Sequence, residues 1–352
     1  MEQKIPVAVL AATGSVGQRF VQLLDQHPWF EVVALSASDR SVGKPYGEAC
    51  HWILTDPMPA WAANMTVLPT EPEAIHTPLA FSALPADIAL SVEPAFAAQG
   101  TNVCSNASAY RREPDVPILL PEVNAEHIDI VKTQRQKRGW EGSIITNPNC
   151  TSTGLTVAMS AIQKAFGIRI AFVVSMQALS GAGYPGVPSM DILDNVIPNV
   201  NGEEQKVEFE TRKMLGNLVD GSIELADFGI SAHTNRVAVS DGHTVCASIE
   251  LQERVEIENV AQALAGYQGP EISRDLPSAP RPVIQLRSES DRPQPRLDRM
   301  TGKGMTTVVG RLRPDSILDL KMVVLSHNTI RGAAGGSIFN AELLVKSGLL
   351  QA

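Results

Sequence analysis

Lys4-Ile5-Pro6-Val7-Ala8-Val9-Leu10-Ala11-Ala12, running straight into Thr13-Gly14-Ser15-Val16-Gly17, is the stretch whose reading decides the fold. Its first nine residues are almost continuously apolar, as in a parallel strand buried on both faces. After the glycine break, Phe20, Val21, Leu23 and Leu24 share one side of a helix expected over 18–26. Glu31-Val32-Val33-Ala34-Leu35 then reads as a second strand. Strand, glycine turn, helix, strand is the opening half of a nucleotide-binding α/β domain. Residues 11–17 keep the spacing of a dinucleotide fingerprint, with alanine in place of its first glycine. That alanine is tolerable provided its φ is negative. Gly14 lets backbone N–H groups approach a pyrophosphate, and Gly17 lets the helix close on the strand. Taken alone, such a turn also serves as a tight connection with no ligand.

The segment after the second strand bears on the cofactor. An NAD-binding chain usually carries a carboxylate there for the ribose 2′-hydroxyl. Here the order is Ser36-Ala37-Ser38-Asp39-Arg40-Ser41-Val42-Gly43-Lys44. The hydroxyls with Arg40 and Lys44 suit a 2′-phosphate and favour NADP; Asp39 keeps NAD open, and an exposed basic loop is the plainer alternative.

Farther along, strand-like runs are expected at 79–84, 102–104, 117–120 and 142–146. Asn147-Pro148-Asn149-Cys150 follows, and 151–166 reads as an amphipathic helix. Beyond it, 170–175 and 245–251 look like strands of a mixed sheet, 268–300 like long polar, proline-rich connections, and 335–350 like a returning helix. The fold class expected is α/β, a Rossmann-type doubly wound sheet plus an α+β catalytic and dimerisation domain with a mixed sheet. The first domain would take residues 1–146 with the C-terminal helix 329–352, and the second 147–328.

Composition excludes other classes. A net charge of −9 argues against nucleic-acid binding, which needs basic surface. No run approaches the ~20 apolar residues required to cross a bilayer. Cys50, Cys104, Cys150 and Cys246 form no CxxC pair and are too sparse for a disulfide scaffold, so reduced thiols in a cytoplasm are expected.

Cys150 stands where a helix should begin, and the helix dipole and free N–H groups there favour thiolate. A thiolate can attack an aldehyde carbon and form an adduct that gives up hydride. A small buried hydrophobe is an equally good reading of Cys150 by position alone. Arg236 and His243, seven positions apart around a short apolar run, offer a carboxylate clamp and a proton carrier. Taken singly, each would more often be a salt-bridged arginine and a surface histidine. No metal-binding spacing occurs. His27, His51, His76, His127 and His327 have no such context and read as structural.

Together the motifs resemble the aspartate-semialdehyde dehydrogenase family, in particular its archaeal and fungal-type branch. The resemblance runs over nearly the whole chain. It rests on residues 11–18, Phe81-Ser82-Ala83-Leu84-Pro85-Ala86, Asn147-Pro148-Asn149-Cys150-Thr151, Gln177-Ala178-Leu179-Ser180-Gly181-Ala182-Gly183-Tyr184-Pro185-Gly186, Gly202-Glu203-Glu204-Gln205-Lys206, 236–243, and His327-Asn328-Thr329-Ile330-Arg331-Gly332-Ala333-Ala334-Gly335-Gly336. It implies that Cys150 is the thioester-forming nucleophile, His243 the acid–base residue and Gln177 a substrate-orienting group. Arg236 would bind the substrate carboxylate, Glu203 would be the acidic substrate contact, and Lys206 and Arg111 would bind phosphate, with Arg112 as the alternative to Arg111. Asn149 would stand near the developing oxyanion. Thr13, Gly14, Ser15, Val16, Ser38, Arg40, Ser41, Ser82, Leu84, Gly181 and Asn328 fall in cofactor-contacting segments. The resemblance further implies NADP as cofactor, inorganic phosphate as co-substrate, and a homodimer or homotetramer. An acyl-CoA reductase of the malonyl-CoA type, a catalytically inactive nucleotide-binding module and a cysteine hydrolase are the competing readings.

Overall fold

The computed structural model describes residues 4–350; residues 1–3 and 351–352, the outermost parts of the expected first domain, lie outside the described residues. Six strands form a parallel sheet: β1 (Ile5–Leu10), β2 (Phe30–Ser36), β3 (Val67–Leu68), β4 (Leu79–Ser82), β5 (Asn102–Ser105) and β6 (Ser143–Thr146). Their order is β3-β2-β1-β4-β5-β6. The direction of build-up reverses between β1 and β4, which opens a crevice beyond their C-terminal ends, where dinucleotides bind in such sheets. Val7, Val9, Leu10, Leu79 and Phe81 are fully buried, as their unbroken apolar runs require.

Helix α1 spans Ser15–Leu23, three residues earlier than its apolar stripe suggested. Gly17 is dictated by space, because a Cβ there would lie 2.3 Å from the Ala11 carbonyl oxygen. Ala11 departs from expectation: its φ is +58°, in the left-handed region that the missing glycine would have entered freely. Helices α2 (Ala86–Ala98) and α3 (Ile130–Arg138) complete this half. Residues 117–120 form no strand; a single parallel bridge, Ile118 to Thr146, is all the pairing they make. The helix of Pro121–Asn124 begins immediately after them and ends the extended segment.

From β6 the chain passes through Asn147-Pro148-Asn149 into α4 (Cys150–Phe166), of which residues 151–162 are all buried. A second sheet is built from β7 (Ile168–Gln177), a small hairpin of β8 (Asn217–Val219) and β9 (Ser222–Glu224) standing apart, then β10 (Gly229–Arg236), β11 (His243–Leu251), β12 (Ile284–Leu286), β13 (Thr307–Pro314) and β14 (Leu320–Ser326). Its order is β10-β7-β11-β14-β13-β12, with β10–β7 and β12–β13 parallel and the rest antiparallel. The stretch between Arg236 and His243 is therefore a connection between two strands that flank β7, not a strand with a residue at each end. Strand β12 also lies inside the region read as connection, too short to announce itself.

Helices α5 (Glu203–Met214) and α6 (Ile257–Ala265) accompany this sheet, and Val207, Met214, Val260 and Leu264 join α4 in its core. The last helix, α7 (Gly335–Lys346), returns to the first sheet and buries Ile338, Phe339, Leu343 and Leu344 with Val7, Val9 and Phe81. No helix among the described residues is long and apolar enough to cross a membrane.

Candidate active site

Strand ends and helix starts converge on Cys150. Gln177 ends β7 and Arg236 ends β10 directly opposite it in register. His243 begins β11, Glu203 begins α5, and Asn149 caps α4 by accepting N–H hydrogen bonds from Thr151 (2.9 Å) and Ser152 (3.3 Å). Because β10 and β11 lie on either side of β7, three residues far apart in sequence meet at one sheet end.

The half-buried sulfur of Cys150 lies 3.1 Å from His243 Nε2. On the far side of the ring, the Ala178 N–H donates to Nδ1 over 3.0 Å. With Nδ1 accepting, the neutral imidazole carries its proton on Nε2, facing the sulfur. The Ala178 carbonyl accepts from Arg236 Nη1 at 2.6 Å, so the backbone of one residue orients both side chains. Gly181 closes the same corner: a Cβ there would approach Arg236 Nη1 to 2.8 Å and His243 Cε1 to 3.0 Å.

The electrostatics differ from the thiolate expected at a helix N-terminus. Burial, with the Glu203 carboxylate second, pushes the Cys150 thiol up to about 12, against the opposing pull of Arg111 and Arg236. Burial, then Arg236 and His327, hold His243 down to about 3. The pair rests as thiol and neutral imidazole rather than as an ion pair.

Around it lies a buried polar network. Glu203 Oε2 accepts from Asn149 Nδ2 (2.6 Å) and Gln177 Nε2 (3.4 Å), while its Oε1 accepts from Lys206 Nζ (3.0 Å). Arg111 donates from Nη1 to Glu210 (3.0 Å) and from Nη2 to the Asn106 carbonyl (2.8 Å). Its buried Nε has no acceptor among the described residues. Arg112, the alternative, lies with its guanidinium 4.6 Å from the centroid of the Phe209 ring.

The remaining singled-out residues occupy the crevice side. Thr13 and Gly14 form the turn after β1, and Ser15 and Val16 open α1, which no side chain caps. Ser82 ends β4 at the order reversal, and its hydroxyl lies 3.5 Å from the Leu84 N–H. Ser38, Arg40 and Ser41 follow β2, with Arg40 and Lys44 exposed. Asn328, just past β14, donates to the Ser180 hydroxyl and accepts from the Gly242 N–H, both at 2.8 Å. A cleft of about 800 Å³ lined by Ser15, Ser180, Tyr184, Asp241 and His327 joins the start of α1 to the 179–186 segment. The structure thus gathers Cys150, His243, Gln177, Arg236, Glu203, Lys206, Arg111 and Asn149 into one cluster and sets the Ser38-to-Ser41 segment at the outer end of the crevice.

Three participants were given no role by the sequence alone: the Ala178 backbone, Glu210, and Gly332, whose Cβ would lie 2.9 Å from that of Cys150. A backbone group leaves no trace in residue type. Glu210 did leave one, because Glu203, Lys206, Glu210 and Lys213 recur at the spacing of one helix face.

Comparison with known proteins identifies the family. Residues 6–131 match the family model described as semialdehyde dehydrogenase, NAD binding domain, and residues 159–331 match semialdehyde dehydrogenase, dimerisation domain. The aspartate-semialdehyde dehydrogenase of Archaeoglobus fulgidus is 50% identical over 98% of this chain and 99% of its own. That of Schizosaccharomyces pombe is 47% identical over 98% of this chain and 99% of its own. A crystal structure of the Candida albicans enzyme with NADP superposes with a TM-score of 0.91 at 43% identity, over 99% of this chain and 100% of that one. With both halves matched and identity spread over the full length, the chain belongs to the aspartate-semialdehyde dehydrogenase family.

Proposed function

We propose that this protein interconverts L-aspartate-4-semialdehyde and L-4-aspartyl phosphate, with NADP and inorganic phosphate, through a thioester on Cys150, within aspartate-family amino-acid biosynthesis (lysine, threonine, methionine). The observation that carries the proposal is the 3.1 Å approach of the Cys150 sulfur to His243 Nε2, beside the cationic side chains of Arg111 and Arg236.

The residues present fit NADP. The uncapped start of α1 leaves its first N–H groups for a diphosphate, the Gly17 approach keeps the turn tight, and exposed Arg40 and Lys44 suit a 2′-phosphate. Thr13, Gly14, Ser15, Val16, Ser38, Ser41, Ser82, Leu84, Gly181 and Asn328 would complete its contacts. When bound, NADP supplies the hydride acceptor for aldehyde oxidation.

The chain's own groups do the rest. Arg236 holds the substrate carboxylate and Glu203 its ammonium group. The Cys150 thiol loses its proton to solvent, and the sulfur adds to the aldehyde carbon, placing negative charge on oxygen. His243 Nε2–H donates first to the sulfur anion and then to this oxyanion, the position of an acid–base residue; Gln177 and Asn149 orient the acyl group beside it. Loss of hydride from the carbon leaves the thioester. A phosphate oxygen, held by Arg111 and Lys206, then attacks the acyl carbon, the C–S bond breaks, and the thiolate is regenerated. The orphaned Nε of Arg111 is a donor suited to that phosphate.

On the same reading, residues 1–146 with 329–352 form the NADP-binding domain and 147–328 the catalytic and dimerisation domain. The enzyme works as a homodimer or homotetramer in the cytoplasm, where its four unbridged cysteines stay reduced. The test is formation of reduced nicotinamide, followed by absorbance, from aspartate semialdehyde, phosphate and NADP. Cys150→Ala is expected to abolish turnover while NADP still binds. Normal turnover in that variant ends the covalent proposal, and activity only with malonyl-CoA and NADPH ends the substrate assignment.

A further inference from the structure

Helix α5 presents four charged residues, Glu203, Lys206, Glu210 and Lys213, along one face toward the site. Two of them have no role in the chemistry above, yet they are more deeply buried than the two that do: Glu210 is 2% exposed and Lys213 3%. A buried charge persists only when it is paired or fully hydrogen-bonded, and the partners of these two are specific. Glu210 Oε2 accepts from the backbone N–H of Asn149 at 2.6 Å, and its Oε1 accepts from Arg111 Nη1 at 3.0 Å. Lys213 Nζ donates to the carbonyls of Arg111 (2.8 Å), Glu113 (2.7 Å) and Val116 (2.8 Å).

We infer that Glu210 and Lys213 are positioning residues for the phosphate-coupled half of the reaction, holding the Arg111 guanidinium at a set distance from the Cys150 sulfur. The inference rests on the phosphate-coupled reading. One carboxylate grips both the guanidinium and the amide next to the nucleophile, so it acts as a spacer between them. Lys213 fixes the turn from which Arg111 projects, through three carbonyls that a loop would otherwise leave free to move. Arginine has a long, many-rotamer side chain, and attack on an acyl carbon is sensitive to misplacement of the order of an ångström. Hydride loss from the substrate carbon makes no use of Arg111. Disturbing the spacer should therefore slow acyl transfer to phosphate and spare thioester formation.

The experiment separates these halves in Glu210→Gln, which keeps the side-chain volume and removes the charge. A rapid-mixing burst of reduced nicotinamide without phosphate reads thioester formation; the steady state at varied phosphate reads acyl transfer. The expected result is a phosphate KM raised about fivefold or more with a burst rate within about twofold of the parent. A smaller rise in phosphate KM, or an equal fall in both halves, overturns the inference. In an Arg111→Lys background, Glu210→Gln should add little to the phosphate defect, because the two act as one unit; full additivity also overturns it. Glu210→Asp, charged but one methylene short, is read by the same criteria if the glutamine variant does not fold. A parent enzyme without phosphate-dependent turnover would instead refute the functional reading itself.

Discussion

At the scale of single residues, two positions carry a measurable penalty. Ala11 holds φ +58°, where a Cβ costs roughly 1 kcal/mol or more against the following carbonyl. Glycine removes that strain and returns part of the gain as unfolded-chain entropy. Ala11→Gly is expected to raise stability by up to about 1 kcal/mol in denaturant titration, and a clear loss would show that the alanine is not strained. Glu93, fully buried, accepts from the Ser105 hydroxyl at 2.6 Å, and burial raises its carboxyl to about 7 despite Ser105, Ser82 and Arg111. An acid whose pKa is higher in the folded state binds more protons there than in the unfolded chain. Its contribution is complete at pH 4 and is lost as pH rises through 7. Glu93→Gln should therefore gain on the parent between pH 5 and pH 8, by up to about 3 kcal/mol, and a pH-independent difference would contradict the assignment.

Elements bring the chemistry together. The turn of Ile330–Ala334 leads into α7 and presses Gly332 against the first residue of α4. It is anchored by Arg331, whose guanidinium makes a bidentate pair with Glu122 at 2.6–2.8 Å in full burial. The wall behind Cys150 is thus rigid and close. Gly332→Ala would place a methyl group 2.9 Å from the Cys150 Cβ, and overpacking of this kind costs about 1–3 kcal/mol. The expected outcome is a lowered melting temperature together with at least about a tenfold loss of kcat, since Cys150, the proposed nucleophile, must shift. Retention of full kcat would mean that this wall does not position the sulfur.

At the scale of the whole molecule, the second sheet has helices on one face and leaves the other open. Phe172 is 52% exposed and Val174 40% exposed, neighbours on the outward side of β7. An apolar strand surface within a region matching a dimerisation domain is where a second copy should pack. Phe172→Glu combined with Val174→Glu should convert the assembly to monomers in sedimentation velocity; an unchanged sedimentation coefficient would place the interface elsewhere. The parallel sheet was legible because continuous apolar runs, a glycine turn and a helical stripe are local signals, as were the helix beginning at Cys150 and the motif residues. The sequence by itself therefore determined the architecture of the first half and supplied the residues proposed to react. Other features needed the folded chain. Strand β12 was too short to show a period, 117–120 lost its strand character to the helix that follows, and Ala11 took a φ imposed by the turn around it. That Gln177, Arg236 and His243 meet came from β7 lying between β10 and β11, a pairing no local pattern encodes. The protonation of Cys150 and His243 was decided the same way, because burial and the charges of distant segments outweigh what a helix end contributes through its own few N–H groups.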